Sequence, residues 1–139
     1  MSVGAIKSFR VFGEPVEVLV TGEMTGGLSA TITQISPPGG GPPPHHHTHE
    51  DEVFVVMEGE YELLQNGAWK KVEVGRAILG KRGSVHTFRN VGNSDGKMLI
   101  FITPAGLENY LEEISSLSIP QDMARLLEIS DHYGVVFAQ

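Results

Sequence analysis

The sequence predicts an all-β fold, a sandwich or barrel, followed by one or two α-helices. Three observations carry this. Short β-forming runs recur at about 8–12-residue spacing, the rhythm of an antiparallel sandwich or barrel rather than of βαβ units. Glycine and proline, 17 and 8 of the 139 residues, punctuate those runs. In the last third the apolar pattern changes from alternation to helical spacing.

The elements follow in order. Lys7–Phe12 and Val16–Thr21 read as strands. Leu28–Ile35 sets Leu28, Ala30, Ile32 and Gln34 against Ser29, Thr31, Thr33 and Ile35, the alternation of a half-buried strand. Val53–Met57 is a continuous apolar run, which predicts a strand covered on both faces. Gly59 turns the chain into Glu60–Gln65. Asn66-Gly67 is a two-residue hairpin signal that joins this strand to Trp69–Val74. Ala77–Leu79, Val85–Asn90 and Met98–Thr103 complete the series. After Pro104, the residues Leu107, Tyr110, Leu111 and Ile114 stand at i, i+3, i+4 and i+7, an amphipathic stripe with Glu108, Glu112 and Glu113 on its polar side. A second helix is expected over Pro120–Ser130, with Met123, Leu126 and Leu127 as its stripe and Pro120 at its start. His132–Phe137 suits a short terminal strand. The expected organisation is one domain over 1–139, with a barrel at about 8–104 and a helical segment at about 105–130.

Composition excludes several function classes. Ten Lys and Arg face seventeen Asp and Glu, a net charge of −7, so the chain lacks the basic face that phosphate-backbone binding needs. The absence of cysteine removes disulfide scaffolds, thiolate zinc sites and cysteine nucleophiles together. No run approaches the ~18 apolar residues of a membrane span, and the amino terminus lacks a signal-peptide core. No nucleic-acid or membrane partner is expected, and the expected setting is cytoplasmic. Gly39-Gly40-Gly41 is not followed by the Lys-Ser/Thr pair of a nucleotide loop, and no Gly-x-Ser-x-Gly elbow occurs.

The chemistry concentrates in histidine. His45, His46, His47 and His49 follow the stiff stretch Pro37–Pro44, and His86 lies further on. An appended tag is excluded because the run is internal, broken by Thr48 and followed by a strand. In an extended segment, side chains two apart share a face at about 6.5 Å, close enough for two imidazoles to share one ion. His45 with His47, or His47 with His49, satisfies that spacing, and His46 points the other way. Imidazole suits Zn, Cu, Fe and Ni, and an added carboxylate extends the choice to Mn.

Two longer patterns give a resemblance. Gly39, five residues, His45-His46-His47, four residues, Glu52, six residues and Gly59 are similar to the first cupin motif, Gly-x5-His-x-His-x3–4-Glu-x6-Gly. Gly75, Gly83, His86 and Asn90 match the second, Gly-x5-Pro-x-Gly-x2-His-x3-Asn, except that Lys81 replaces its proline. The chain resembles small single-domain cupins of the quercetin dioxygenase-like kind. Phrases such as Pro38-Gly39-Gly40-Gly41-Pro42-Pro43, His49-Glu50-Asp51-Glu52 and His86-Thr87-Phe88-Arg89-Asn90 carry that likeness.

The resemblance implies a cupin double-stranded β-helix, or jelly-roll barrel. It selects His45 and His47 over the alternative pair, and implies one divalent metal ion per chain (Fe, Ni, Mn, Zn or Cu) held by His45, His47, Glu52 and His86. Three imidazoles and a carboxylate leave one or two coordination positions open, the mark of a catalytic rather than structural site. There a small-molecule enol, phenol or diol would bind as an anion, with Glu52 as ligand or as general base. Dioxygenase chemistry on an aromatic or enolic substrate is the leading expectation. Redox-neutral cyclase or isomerase chemistry and a non-catalytic binding barrel are the alternatives. Phe54, Val56, Phe88 and Ile100 are the expected pocket wall, with Ile102, Met57 and Tyr61 as further candidates. His49 is placed either at the pocket mouth or on the surface, and His132 at a surface or helix end. Lys81 and Arg82 form a solvated turn or meet an anionic substrate, while Arg89 and Asn90 turn the chain after His86. Resemblance also implies a homodimer.

Overall fold

A computed structural model describes residues 5–138. Two antiparallel sheets face one another as a jelly roll. Strands β1 (Lys7–Val11), β2 (Glu14–Val20), β3 (Ala30–Ser36), β5 (Asp51–Glu58), β8 (Ala77–Gly80) and β10 (Gly96–Thr103) build a six-stranded sheet in the order β1-β2-β3-β10-β5-β8. Strands β4 (His45–His47), β6 (Tyr61–Gln65), β7 (Ala68–Val72), β9 (His86–Asn90) and β11 (Val135–Phe137) build a five-stranded one in the order β11-β4-β9-β6-β7. Helices α1 (Leu107–Ile114) and α2 (Met123–Tyr133) lie between β10 and β11. Neither is long and apolar enough to cross a membrane.

The core forms in layers because the register between β5 and β10 pairs inward residues. Glu52 faces Ile102, Phe54 faces Ile100, and Val56 faces Met98, all buried. The alternate side chains Val53 and Val55 are only half-buried, and Met57 and Phe101 are exposed. The apolar run at 53–57 is therefore covered on one face, not two: its outer face belongs to an open sheet, and among the described residues no layer is stacked on it. The strand predicted from Leu28 begins instead at Ala30, since Leu28 lies exposed in the preceding turn.

The helices also differ from expectation. Helix α1 buries Leu107, Tyr110 and Ile114, as its stripe predicts, but it buries Glu108 too. The Glu108 carboxylate accepts the N–H of the N-cap residue Gly106 at 2.6 Å, reaching back as the acidic residue of a capping box does, and the N–H of Gly22 at 2.9 Å. Helix α2 begins three residues after Pro120 and runs past Ser130 to Tyr133. It buries Leu126, Ile129 and Ser130, while Met123 and Leu127 are exposed. It stops at Gly134, whose left-handed backbone (φ 74°) sends its N–H back to the carbonyls of Ser130 and Asp131. The Tyr110 and Ser130 hydroxyls, 2.7 Å apart, tie α2 to α1.

Asn90 closes the turn after β9. Its side-chain amide donates to the carbonyls of Ser36 and Ser94, and its oxygen accepts the Gly92 N–H, all at 2.8–2.9 Å. Asn90→Ala leaves Ser36 O unpaired in the interior and releases the turn at Gly92 and Ser94, so it is expected to lower unfolding stability by about 1–3 kcal/mol. Urea unfolding, with the midpoint lowered at unchanged slope, is the measurement.

Candidate metal centre

The cluster is assembled across the gap between the sheets. Strand β4 carries His45 and His47, and β9 carries His86 opposite His45. Strand β5 carries Glu52 in from the other sheet. One ligand-type atom from each of these four residues lies within 4.8 Å of every other. His45, His47, His86 and Glu52 are 9%, 3%, 2% and 4% exposed. Glu52 Oε1 stands 2.9 Å from both His47 Nε2 and His86 Nε2, and His45 Nε2 stands 3.1 Å from His47 Nε2.

Outer contacts orient two of the rings. A carbonyl can only accept, so His45 Nδ1–H donates to Pro43 O at 2.7 Å and His86 Nδ1–H donates to Ser84 O at 2.9 Å. Both rings thereby present Nε2 inward. Gly41 lets the Pro-rich approach to β4 lie against β9: a Cβ there would stand 2.0 Å from Phe88 O. Strand β11 pairs along the other edge of β4, setting Val135 opposite His47 and Phe137 opposite His45.

The electrostatics are those of a crowded donor set. Burial, reinforced by the neighbouring His47 ring, lowers the His45 pKa to about 4. Burial opposes ionisation of Glu52, but His47 and His86 together overcome it and hold its carboxyl well below the usual carboxylate range. Burial also works against the charged form of His86, yet its hydrogen bond to Glu52 raises the pKa on balance. Burial raises the Glu50 carboxyl, whose Oε1 lacks a hydrogen-bond partner, as does His47 Nδ1.

The cluster forms part of the wall of a cavity of about 80 Å³. Phe54, Phe88 and Ile100 line it. Val56 lies one layer deeper, against Met98, and Ile102 and Tyr61 are core residues away from the lining. Met57 points outward because it has the opposite parity. The other walls include Val11, Ile32, Leu107, Tyr110, Ile114 and Phe137, with the polar Glu14 and Gln34, none of which the sequence patterns assign to a pocket. Among the described residues no Lys or Arg lines the cavity.

The other candidates lie elsewhere. His46 is half-buried opposite Val136 and outside the cluster. His49 is exposed, with its ring against Gly134, and His132 is exposed in the last turn of α2. Arg82 forms an exposed pair with Asp51 at 3.1 Å. Arg89 pairs with Glu62 at 2.6 Å and covers the Trp69 ring at 3.7 Å on the outer face.

Comparison with known proteins agrees with this architecture. The cupin domain family model matches residues 32–102. No curated protein matches the chain. Among solved structures, a predicted oxalate decarboxylase from Thermotoga maritima is 24% identical with a TM-score of 0.62, covering 70% of this chain and 90% of that one. A Cupin 2 conserved barrel domain protein from Salinispora arenicola is 19% identical with a TM-score of 0.62, covering 81% and 97%. A cupin-superfamily sugar phosphate isomerase from Silicibacter pomeroyi is 21% identical with a TM-score of 0.58, covering 73% and 68%. At these identities the likeness is one of fold.

The metal-free protein is expected to lose stability as pH falls from 6.5 to about 4. In that window unfolded His45 binds a proton that the folded ring refuses, so the unfolded state gains protons and stability falls with pH. His86, whose pKa is raised, contributes a stabilisation already complete below 6.5, so it does not set this slope. The loss attributable to His45 is about 3 kcal/mol across the window. Thermal melts at constant ionic strength measure it, and His45→Asn is expected to flatten the limb.

Proposed function

The chain belongs to the cupin domain family, and from that membership we propose that it is a metal-dependent enzyme acting on a small aromatic or enolic molecule, with dioxygenase-like chemistry as the leading class. One observation carries the reading: His45, His47, His86 and Glu52 aim their donor atoms at one another on the wall of a mostly apolar cavity, which Glu14 and Gln34 also line. Those residues fit a divalent cation. Three imidazoles and a carboxylate are a borderline donor set, two of the rings are already held with Nε2 inward, and the atoms lie within 4.8 Å without a charge to balance Glu52 other than histidine protons.

When bound, such a cation would lower the pKa of a coordinated enol, phenol or diol oxygen and, if redox-active, support reaction with O2. The rest belongs to the chain. Phe54, Phe88 and Phe137 offer aromatic faces and exclude water from the reacting oxygen. The cavity has no cationic side chain to meet a phosphate or a second carboxylate, so an uncharged ligand suits it better than the phosphorylated sugar named for one structural neighbour. At about 80 Å³ the cavity is smaller than the usual ligand pocket, so it would admit a single small ring or one end of a larger molecule. Glu52 stays ionised in this setting and holds a proton weakly, which favours a ligand's role over a general base's. A homodimer is proposed as well, with the exposed Ile119, Met123 and Leu127 as an apolar face for a second copy, and sedimentation equilibrium tests it.

Elemental analysis of protein purified without a polyhistidine tag or chelating column is the first test. Iron, nickel, manganese or copper near one per chain supports O2 chemistry. Zinc moves the assignment to cyclase or isomerase chemistry, and no metal after reconstitution leaves a small-molecule binding barrel. His45→Ala, His47→Ala and Glu52→Gln are expected to lose most of the metal, while His46→Ala keeps it. In the metal-free protein His86 donates through both ring nitrogens, to Ser84 and to ionised Glu52. Metal binding is therefore expected to release about one proton per chain or more. Calorimetry in buffers of different ionisation enthalpy counts it.

A further inference from the structure

We propose that Glu50 is the positioning residue of His47, its Oε1 serving as acceptor for the Nδ1–H of that ring. The inference rests on the metal-site reading above and extends it to a residue outside the donor set. His45 and His86 each have a backbone carbonyl on Nδ1 that fixes a proton there and turns Nε2 inward. His47 has no carbonyl in that place. Its Nδ1 is buried and unpartnered, and the atom facing it, Glu50 Oε1 at 3.9 Å, is also buried and unpartnered. The two side chains are 3% and 7% exposed.

Two orphaned polar atoms facing each other in the interior call for a reason, since each loses its hydration without compensation. The proton on His47 supplies one. In the metal-free arrangement His47 Nε2 lies 2.9 Å from the Glu52 carboxylate, an acceptor, and 3.1 Å from His45 Nε2, so the ring's proton is drawn to Nε2. With a cation held at Nε2, the ring's proton would sit on Nδ1, where Glu50 would be its acceptor. Glu50 then does for His47 what Pro43 O and Ser84 O do for the other two rings: it sets the tautomer and raises the basicity of the ligating nitrogen. Its position in the bend between β4 and β5 ties this acceptor to the same short segment that carries His47 and Glu52.

The test is cobalt(II) affinity, by chelator competition, in the wild type, Glu50→Gln and Glu50→Leu, with the cobalt absorption spectrum recorded for each. Glu50→Leu is expected to weaken binding roughly 10–100-fold and to alter the spectrum. Glu50→Gln is expected to stay within about threefold of the wild type, because the amide oxygen still accepts. Undiminished affinity in Glu50→Leu overturns the proposal, and so does an equal loss in both variants, which would mean that only the charge matters. If the wild type itself binds no cobalt, the metal reading fails and takes the proposal with it. Should Glu50→Leu not fold, the nitrogen-15 spectrum of the zinc-loaded wild type decides. A solvent-protected proton on His47 Nδ1 that shifts in Glu50→Gln supports the assignment, and its absence sinks it.

Discussion

The structure depends on one local constraint: three imidazoles must reach a single point inside an apolar barrel, and the backbone pairs the outer nitrogens of two of them, while that of His47 faces Glu50. Burying an imidazole is tolerable only if its polar edge finds a partner. The barrel meets this by running β4 and β9 side by side at His45 and His86, so that each ring lies against a turn carbonyl two residues before it. The carboxylate then arrives from the opposite sheet on β5. The cluster is thus a cross-link between the two layers of the jelly roll, made of charge and hydrogen bonds, as the Asn90–Ser36 bond is at the turn after β9.

That placement explains the chain's last third. Strand β4 has only three residues and would otherwise be an open edge beside the cluster. Strand β11 covers it, and α1 lines the cavity, with α2 tied to α1 through the Tyr110–Ser130 hydroxyl pair. Several contacts bring the strand home: the Gly134 stop, the Thr48 N–H to Gly134 O bond at 2.8 Å, and the Ala138 N–H to Pro44 O bond at 2.9 Å. Helix α1 is therefore part of the cavity wall rather than an appendage, with Leu107, Tyr110 and Ile114 contributing surface to it.

What was legible in the sequence and what was not follow from the range of the forces involved. Strand alternation, the Asn66-Gly67 hairpin and the α1 stripe are local, and the structure contains each of them. The convergence of His45, His47, Glu52 and His86 came from motif spacing and resemblance, since periodicity alone left His49 as an equal partner for His47. Three things needed the tertiary structure. Coverage of Val53 and Val55 depends on whether another layer stacks outside β5. The burial of Glu108 depends on the Gly22 N–H, 86 residues away in sequence. The walls formed by Val11, Ile32 and Phe137 come from strands that reach the cavity only through the sheet order. Residue type gave no warning of Glu50, because an acidic residue in a polar bend ordinarily faces water.

The same burial that builds the site limits what it can admit. Every Lys and Arg among the described residues is off the cavity, and the pairs resolved for Arg82 and Arg89 lie on outer faces. A ligand entering among Phe54, Phe88 and Phe137 therefore loses its hydration without gaining a fixed positive side chain. An added negative charge on the ligand would face Glu52 across a low-dielectric gap. The cost falls on charge and spares apolar area, so discrimination rests on the oxygen that approaches the histidines and on the shape of the ring or chain behind it. The cationic balance of the site is left to whatever the four donors hold, which joins ligand preference and metal content in one electrostatic problem.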